Sequence, residues 1–347
     1  MRESRSGKAR GVPAIASDLR LFRMFQHCDP AQLTRLAGFA AEETLQHDTI
    51  VYREGDRGAD FFVVLAGGIQ ASISTPAGTQ SLGQVRLGQV FGEVSFLDGG
   101  ARGVTTRATQ PTAVLRFDAP ALQRALADDP ELAVGLNRAF WYGLAGKIRQ
   151  ANQAKLGRGG GAPARPAGEN GAAGTSVDLN PRAKLDLFRE RGMSAAELRL
   201  LATTLHAQQF EAGACLFLEG AQADAMYIVV DGEVRISRRR GGGEAEPIAS
   251  LGRGEVLGEL ALVDDQSRSA DGHAGTEGCT VLVVTHQDLD DVLHLNPLAA
   301  SEFLHLVCGI LCHRLRASIA ALGGHAAPAP GGPARRESGP ARGDAVR

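Results

Sequence analysis

The stretch VLGELALVDDQSRSA, residues 256–270, sets a glutamate and an arginine nine positions apart in an otherwise apolar and turn-forming run, and a near-copy, VFGEVSFLDGGARGV, occupies residues 90–104. A glycine ahead of a short helix lets the backbone approach a ligand closely. The free N–H groups that begin the helix, at the positive end of its dipole, suit a phosphate. Glu93 or Glu259 at that turn can accept hydrogen bonds from sugar hydroxyls, and Arg102 or Arg268, returning across the loop, can make a two-pronged charged bond to a phosphate. The pattern therefore predicts one pocket for a ribose and a phosphate together, present twice.

The duplication extends well beyond these stretches. Leu21-Phe22 recurs at Leu187-Phe188, Glu54-Gly55 at Glu219-Gly220, Gly92-Glu93 at Gly258-Glu259 and Pro130 at Pro297, with offsets of 165 to 167 positions. A period this long is a tandem domain duplication and not a solenoid. Between the copies, LGRGGGAPARPAGENGAAGTS (156–176) has almost no aliphatic side chain larger than alanine, too little apolar surface to offset ordering entropy. The expected organisation is a disordered N-terminus (1–17), a first domain (18–155), a flexible linker (156–177), a second domain (178–322) and a disordered tail (323–347). A loose linker predicts weak coupling between the two pockets, unless the helices after Pro130 dock onto the second barrel.

Each copy has the same order of local signals. A short helix opens on an N-cap, Asp29 in DPAQLTRLAGF and Ser194 in SAAELRLLATT, the latter with Glu197 as a capping box. Short strands follow, TIVYREGD and FFVVLAGGIQASI in the first copy, CLFLEGAQ and MYIVVDGEVRISR in the second. AVLRF and TVLVV supply a later strand. Helices near 122–126 and 289–293, then longer ones from Pro130 and Pro297, close each copy. Many short strands with a few flanking helices predict a small β-barrel or roll with a helical subdomain.

The chain has 347 residues, 44% of them hydrophobic, and a formal net charge of -2. That balance offers no general attraction to nucleic acid or to anionic lipid. No apolar run in the sequence reads as a bilayer span and the N-terminus lacks an apolar signal core, so a cytoplasmic protein is expected. Five scattered cysteines fit reduced thiols better than a disulfide framework. His305, Cys308 and Cys312 share a helix face but read as packing, with no metal. Arg238, Arg239 and Arg240 read as a hairpin tip, and ARRES (334–338) as a solvated tail despite its likeness to a basophilic kinase site. No P-loop, no G-x-S-x-G and no convergent Ser, His and Asp set is present, so no enzyme is expected.

FGEVSFLDGGARGV and LGELALVDDQSRSA resemble the phosphate-binding cassette of cyclic nucleotide-binding domains, the fold shared by regulatory subunits of cAMP-dependent kinase, the bacterial catabolite activator protein and cyclic nucleotide-gated channels. The resemblance covers both copies, including the EG turns, the DGEV hairpin (Asp231 to Val234) and the closing helices. It implies a mainly β fold with flanking helices, two tandem double-stranded β-helix (jelly-roll-like) domains. It also implies that Glu93 and Glu259 hold the ribose 2′-hydroxyl and that Arg102 and Arg268 hold the cyclic phosphate. Gly92, Val94, Gly103 and Val104 in the first cassette, and Gly258, Leu260, Ser269 and Ala270 in the second, would complete the cradles. The RSA of the second cassette resembles the catabolite activator's, which favours cAMP over cGMP. Ser269 would add a phosphate donor that Gly103 does not, making the second site the tighter.

Trp141 and Tyr142 are the expected lid over the first base. Two departures stand out. Asp271-Gly272 is a turn signal where an apolar strand is usual, which predicts interrupted pairing, and Gly68 stands where the second copy has Glu233, which predicts a more pliable hairpin. The implied function is a cyclic nucleotide receptor with two sensor domains and no cofactor besides its ligand. It would regulate an unidentified effector protein by rearranging a helix; the oligomeric state is not legible. The alternatives are a ligand-free scaffold on the same fold and a catabolite-activator-type transcription regulator, for which no helix-turn-helix is seen.

Overall fold

The computed structural model describes residues 10–155, 171, 174–190, 205–239 and 245–323. In the first repeat α1 (Val12–Leu21), a 3-10 turn (Arg23–Phe25) and α2 (Pro30–Ala37) precede the strands. These are β1 (Ala40–Leu45), β2 (Ile50–Tyr52), β3 (Phe61–Ala66), β4 (Ile69–Thr75), β5 (Gly78–Val85) and β6 (Val90–Phe91), then α3 (Glu93–Asp98), β7 (Thr105–Ala108) and β8 (Thr112–Phe117). The repeat closes with α4 (Ala119–Asp128) and α5 (Pro130–Lys155). The second repeat runs β9 (Thr175–Val177), α6 (Pro181–Glu190), β10 (His206–Phe210), β11 (Cys215–Phe217), β12 (Ala225–Arg239), β13 (Ala245–Leu251) and β14 (Val256–Leu257). After α7 (Glu259–Asp264) come β15 (Asp271–Thr285), α8 (His286–Leu295) and α9 (Pro297–Gly323).

The cap predicted at Asp29 operates. The Asp29 side chain accepts from the Gln32 backbone N–H at 2.8 Å while the Gln32 side chain accepts from Asp29 N–H at 3.0 Å, a capping box that starts α2. Thr285 and Asp288 form the same box at α8. Both long helices begin at a proline, as expected.

The first barrel is two four-stranded sheets, ordered β1-β8-β3-β6 and β2-β7-β4-β5, with antiparallel pairing. In the second repeat the corresponding sheets merge, because β12 and β15 each run unbroken for 15 residues through both layers. The difference lies at one corner. In the first repeat Gly67 has φ 84°, and a Cβ there would lie 2.5 Å from Thr112 Oγ1, which also receives the Gly68 N–H at 3.1 Å, so the chain breaks between β3 and β4. In the second repeat Gly232, φ 74°, is taken up as a bulge within β12. Asp231 to Val234 is thus a bulged bend in a continuous strand, not the hairpin read from DGEV.

Other expectations also need correction. Asp271-Gly272 does not interrupt pairing: Asp271 pairs with Ser237 and Gly272 with Ile236. The Asp271 carboxylate, 2% exposed, accepts the Glu219 backbone N–H at 2.6 Å, and Gly272 lets the Phe217 ring lie against the strand, 2.7 Å from where a Cβ would stand. A turn-forming pair becomes strand because its carboxylate is committed to a neighbouring backbone N–H and its missing side chain makes room for a ring. Within the N-terminal segment read as disordered, residues 12–17 lie in α1, which buries Ile15 and Leu19. Thr175–Val177, assigned to the linker, forms β9 on the edge of β10. Residues 156–170, 172–173, the SAAELRLLATT helix with Ser194 and Glu197, Arg240 and the tail from 324 lie outside the described residues.

A stack of aromatic rings ties the first barrel to its helices. Phe61 lies flat on Phe117 at 4.4 Å and edge-on to Phe96 of α3 at 5.1 Å and to Phe140 of α5 at 4.9 Å. α5 and α9 pack on one another, with Asn137 donating to the Ser301 carbonyl at 3.3 Å and the Cys308 thiol to the Asn137 carbonyl at 3.4 Å. Among the described residues α9 alone is long and apolar enough to cross a membrane, at mean hydropathy 1.4 over its best window. Its buried side chains, Phe303, Leu304, Val307 and Leu311 among them, are committed to the core. No group of three potential metal ligands occurs among the described residues; Cys308 and Cys312 are buried, and burial raises both thiols.

Candidate functional site

Gly92 and Gly258 take φ of 85° and 76° and turn the chain from β6 into α3 and from β14 into α7. The first residue of each helix is the predicted glutamate, fully buried at Glu93 and 2% exposed at Glu259. Arg102 and Arg268, 6% and 3% exposed, return as predicted and are held by backbone carbonyls. Arg102 donates to Gly92 O at 2.9 Å and to Asp60 O at 2.6 Å; Arg268 donates to Gly258 O at 2.9 Å and to Ala225 O at 2.6 Å. Each arginine is thus fixed to the glycine that precedes the glutamate, with the same two-pronged grip in both repeats.

The EG turns fasten the other side of each loop. Gly55 N–H donates to Arg102 O at 2.8 Å and Gly220 N–H to Arg268 O at 2.9 Å, while Arg102 N–H and Arg268 N–H donate back to Asp56 O and Ala221 O. The guanidinium of Arg102 stacks over the Tyr52 ring at 4.2 Å, and that of Arg268 over Phe217 at 4.6 Å. In the first repeat Arg116 makes a second brace, gripping Asp60 at 2.7 and 2.5 Å so that the carbonyl beneath Arg102 stays in place. Burial lowers the pKa of both Arg102 and Arg268 and raises that of the Tyr52 and Tyr227 phenols. A poorly hydrated guanidinium gains more from an anion than an exposed one does.

Sequence reasoning missed the partners of the glutamates. Lys147 of α5 reaches Glu93 Oε1 at 2.5 Å, and Arg314 of α9 reaches Glu259 at 2.9 Å and also donates to the Val256 carbonyl. Glu93 Oε2 is buried without a hydrogen-bond partner, as is Arg268 Nε. A buried carboxylate oxygen left unpaired is expensive and marks a place where a donor belongs. The signal for the missed cations was present: Lys147-Ile148-Arg149 and Arg314-Leu315-Arg316 recur at the offset of Pro130 and Pro297.

Two cavities open on these residues. One of about 360 Å³ is lined by Gly92, Glu93, Val94, Arg102, Gly103 and Val104 together with Tyr52 and Tyr142. The other, about 320 Å³, is lined by Gly258, Glu259, Leu260, Arg268, Ser269 and Ala270 with Phe217. All twelve cassette residues predicted from sequence therefore converge, six on each cavity, which is of the size that holds a small ligand. The lid expectation divides: Tyr142 lines the first cavity, whereas Trp141, 1% exposed, is packed into the core and does not line it.

The cyclic nucleotide-binding domain family matches residues 42–129 and 207–296. The chain belongs to this family. Both matched segments contain one cassette, and the rolls of short strands with flanking helices are its fold. Among curated relatives, a cyclic AMP receptor protein of Thermus thermophilus is 31% identical over 125 residues, covering 36% of this chain and 56% of the relative. A cAMP-dependent protein kinase regulatory subunit of Emericella nidulans is 26% identical over 264 residues, 73% of this chain and 53% of the relative. The chain thus spans little more than half the length of these relatives. Among solved structures, the regulatory domain of Toxoplasma gondii PKA in co-crystal with cAMP aligns with 84% of this chain and 94% of its own, at 18% identity and a TM-score of 0.32.

The glycines give a direct check on the geometry. A Cβ on Gly258 would stand 2.4 Å from Arg268 Nη1, and one on Gly92 2.8 Å from Asp60 O and 2.9 Å from Arg102 Nη1. Gly258→Ala should lower stability by about 1–2 kcal/mol from the left-handed backbone alone, and the clash should push the guanidinium off its carbonyls. A denaturant midpoint unchanged from wild type would contradict this placement.

Proposed function

We propose that the chain is a cyclic nucleotide receptor with two sites, one in each repeat, selective for cAMP over cGMP, that regulates an effector protein. The first sensor unit takes in α1 from Val12 and runs to Lys155, and the second takes in β9 from Thr175 and runs to Gly323. In each site the cyclic phosphate lies on the guanidinium of Arg102 or Arg268 and on the backbone after Gly92 or Gly258. The ribose 2′-hydroxyl donates to Glu93 or Glu259, and Ser269 adds a hydroxyl donor at the second phosphate. The observation that carries this reading is the Glu93 carboxylate: fully buried, it spends Oε1 on Lys147 and leaves Oε2 without a partner at the cavity wall. A ribose hydroxyl supplies the missing donor without displacing the lysine.

That division also suggests how binding is transmitted. Lys147 holds α5 over the first cassette and Arg314 holds α9 over the second. A ligand seated on the same glutamates therefore favours the packing in which the long helices stay docked, and any effector that prefers another packing responds to the nucleotide. No catalytic role enters this account.

Thermal unfolding tests the receptor reading. A ligand that binds only the folded state stabilises it by about 2.7 kcal/mol at a hundredfold excess over its dissociation constant. cAMP should raise the melting temperature, and cGMP should raise it less. An unmoved transition at millimolar cAMP would leave a scaffold as the better reading, and a larger shift with cGMP would reverse the selectivity.

A further inference from the structure

The first cavity is not built from the first repeat alone. Its wall includes Leu315, Arg316, Ser318, Ile319 and Leu322, all on α9 of the second repeat. The second cavity in turn borrows Ile148 and Asn152 from α5 of the first. Two ion pairs hold this exchange. Arg149 of α5 grips Asp264, at the end of α7, at 2.7 and 3.0 Å, and Arg316 of α9 grips Asp98, at the end of α3, at 2.5 and 2.9 Å. The long helices therefore each carry two cations two positions apart, the first on its own repeat's cassette glutamate and the second on the other repeat's cassette helix.

The two cassettes differ where these helices arrive. The second has Ser269 after its arginine; the first has Gly103, and Arg316 fills the space, its Nη1 3.3 Å from where a Cβ of residue 103 would stand. Gly100 makes the same allowance, with Arg316 Nη2 2.8 Å from its Cβ position. Asp98 takes Nε and Nη2, so Nη1 is the nitrogen this ion pair does not use. The cassette that lacks a hydroxyl donor has gained a guanidinium from the opposite repeat.

Resting on the receptor reading above, we propose that the first nucleotide site is composite, with Arg316 of the second repeat acting as its additional phosphate-binding residue and Leu315, Ile319 and Leu322 as the apolar wall beside the base. This reverses the order of affinity expected from the cassettes alone: a guanidinium replaces the missing serine with a stronger, charged donor, and the first site is the tighter.

The test isolates the first site with Arg268→Ala and titrates it with cAMP. Adding Arg316→Gln, which keeps the stem of the side chain, should weaken binding about tenfold or more, the loss typical of one charged hydrogen bond. Arg316→Lys should lose less. Asp98→Asn separates a ligand role from a structural one: it releases Arg316 without removing it, so affinity should hold or rise. Equal losses from Arg316→Gln and Asp98→Asn would reduce Arg316 to a strap between the repeats, and no loss from Arg316→Gln would remove it from the site; either overturns the proposal. Failure of Arg268→Ala itself to take up nucleotide, although well folded, would overturn the receptor reading of the first site instead.

Discussion

Calorimetric titration with cAMP should count two nucleotides on the wild-type chain and one on either Arg102→Ala or Arg268→Ala. Each guanidinium is pinned by two carbonyls on one edge and by an aromatic ring on its face, so its position is set before any ligand arrives. A charged hydrogen bond contributes about 1.5–3 kcal/mol, and a two-pronged contact in a buried site lies at the upper end of that range. Truncation also removes the guanidinium donors from Gly92 O and Asp60 O, or from Gly258 O and Ala225 O, which loosens the glycine turn that begins the cradle. The affected site should therefore weaken by two decades or more while the other continues to bind. A double mutant that still takes up nucleotide would show that these arginines are not the phosphate ligands.

Phe61→Ala should be the most damaging single substitution in the first repeat. Its ring is fully buried and touches Phe117 of the barrel, Phe96 of the cassette helix and Phe140 of the long helix. Large aromatic truncations in a packed core cost about 3–5 kcal/mol, and this cavity would open where three elements meet. The denaturant midpoint should fall accordingly. Because α3 carries Glu93 and α5 carries Lys147, nucleotide binding at the first site should weaken in the same protein even under conditions where it remains folded. A loss below about 1 kcal/mol would mean that the rings repack and that the stack does not position the cassette.

How much of this was readable in advance depends on the range of the interaction. The cassette residues are local: within fifteen positions the glycine, glutamate and arginine define a turn, a helix start and a return, and all twelve predicted residues line the two cavities. Caps at Asp29 and prolines at 130 and 297 are local too, and they place helix starts where the chain alone suggests. Asp271-Gly272 misled because its local preference is a turn, whereas the Glu219 N–H and the Phe217 ring, both more than fifty positions away, hold it extended. Trp141 misled because helical spacing cannot say which side of α5 faces the cavity; the neighbouring Tyr142 took that place.

The sequence by itself determined that there are two copies of one unit, that each is a roll of short strands closed by a long helix, and which glutamate, glycine and arginine form each cassette. Those conclusions rest on repetition, backbone propensity and spacing, which act within a turn or a loop. Only the tertiary structure decided that Lys147 and Arg314 meet the buried glutamates, and that α5 and α9 each reach the other repeat's cassette. A glycine-rich connection predicted weak coupling unless the helices after Pro130 docked onto the second barrel, since chain entropy favours separation of loosely tethered units, and α5 does reach the second cassette helix. Packing of the two long helices against each other, with the Arg149–Asp264 and Arg316–Asp98 pairs at their ends, outweighs that entropy by burying apolar faces whose partner lies some 165 positions away along the chain.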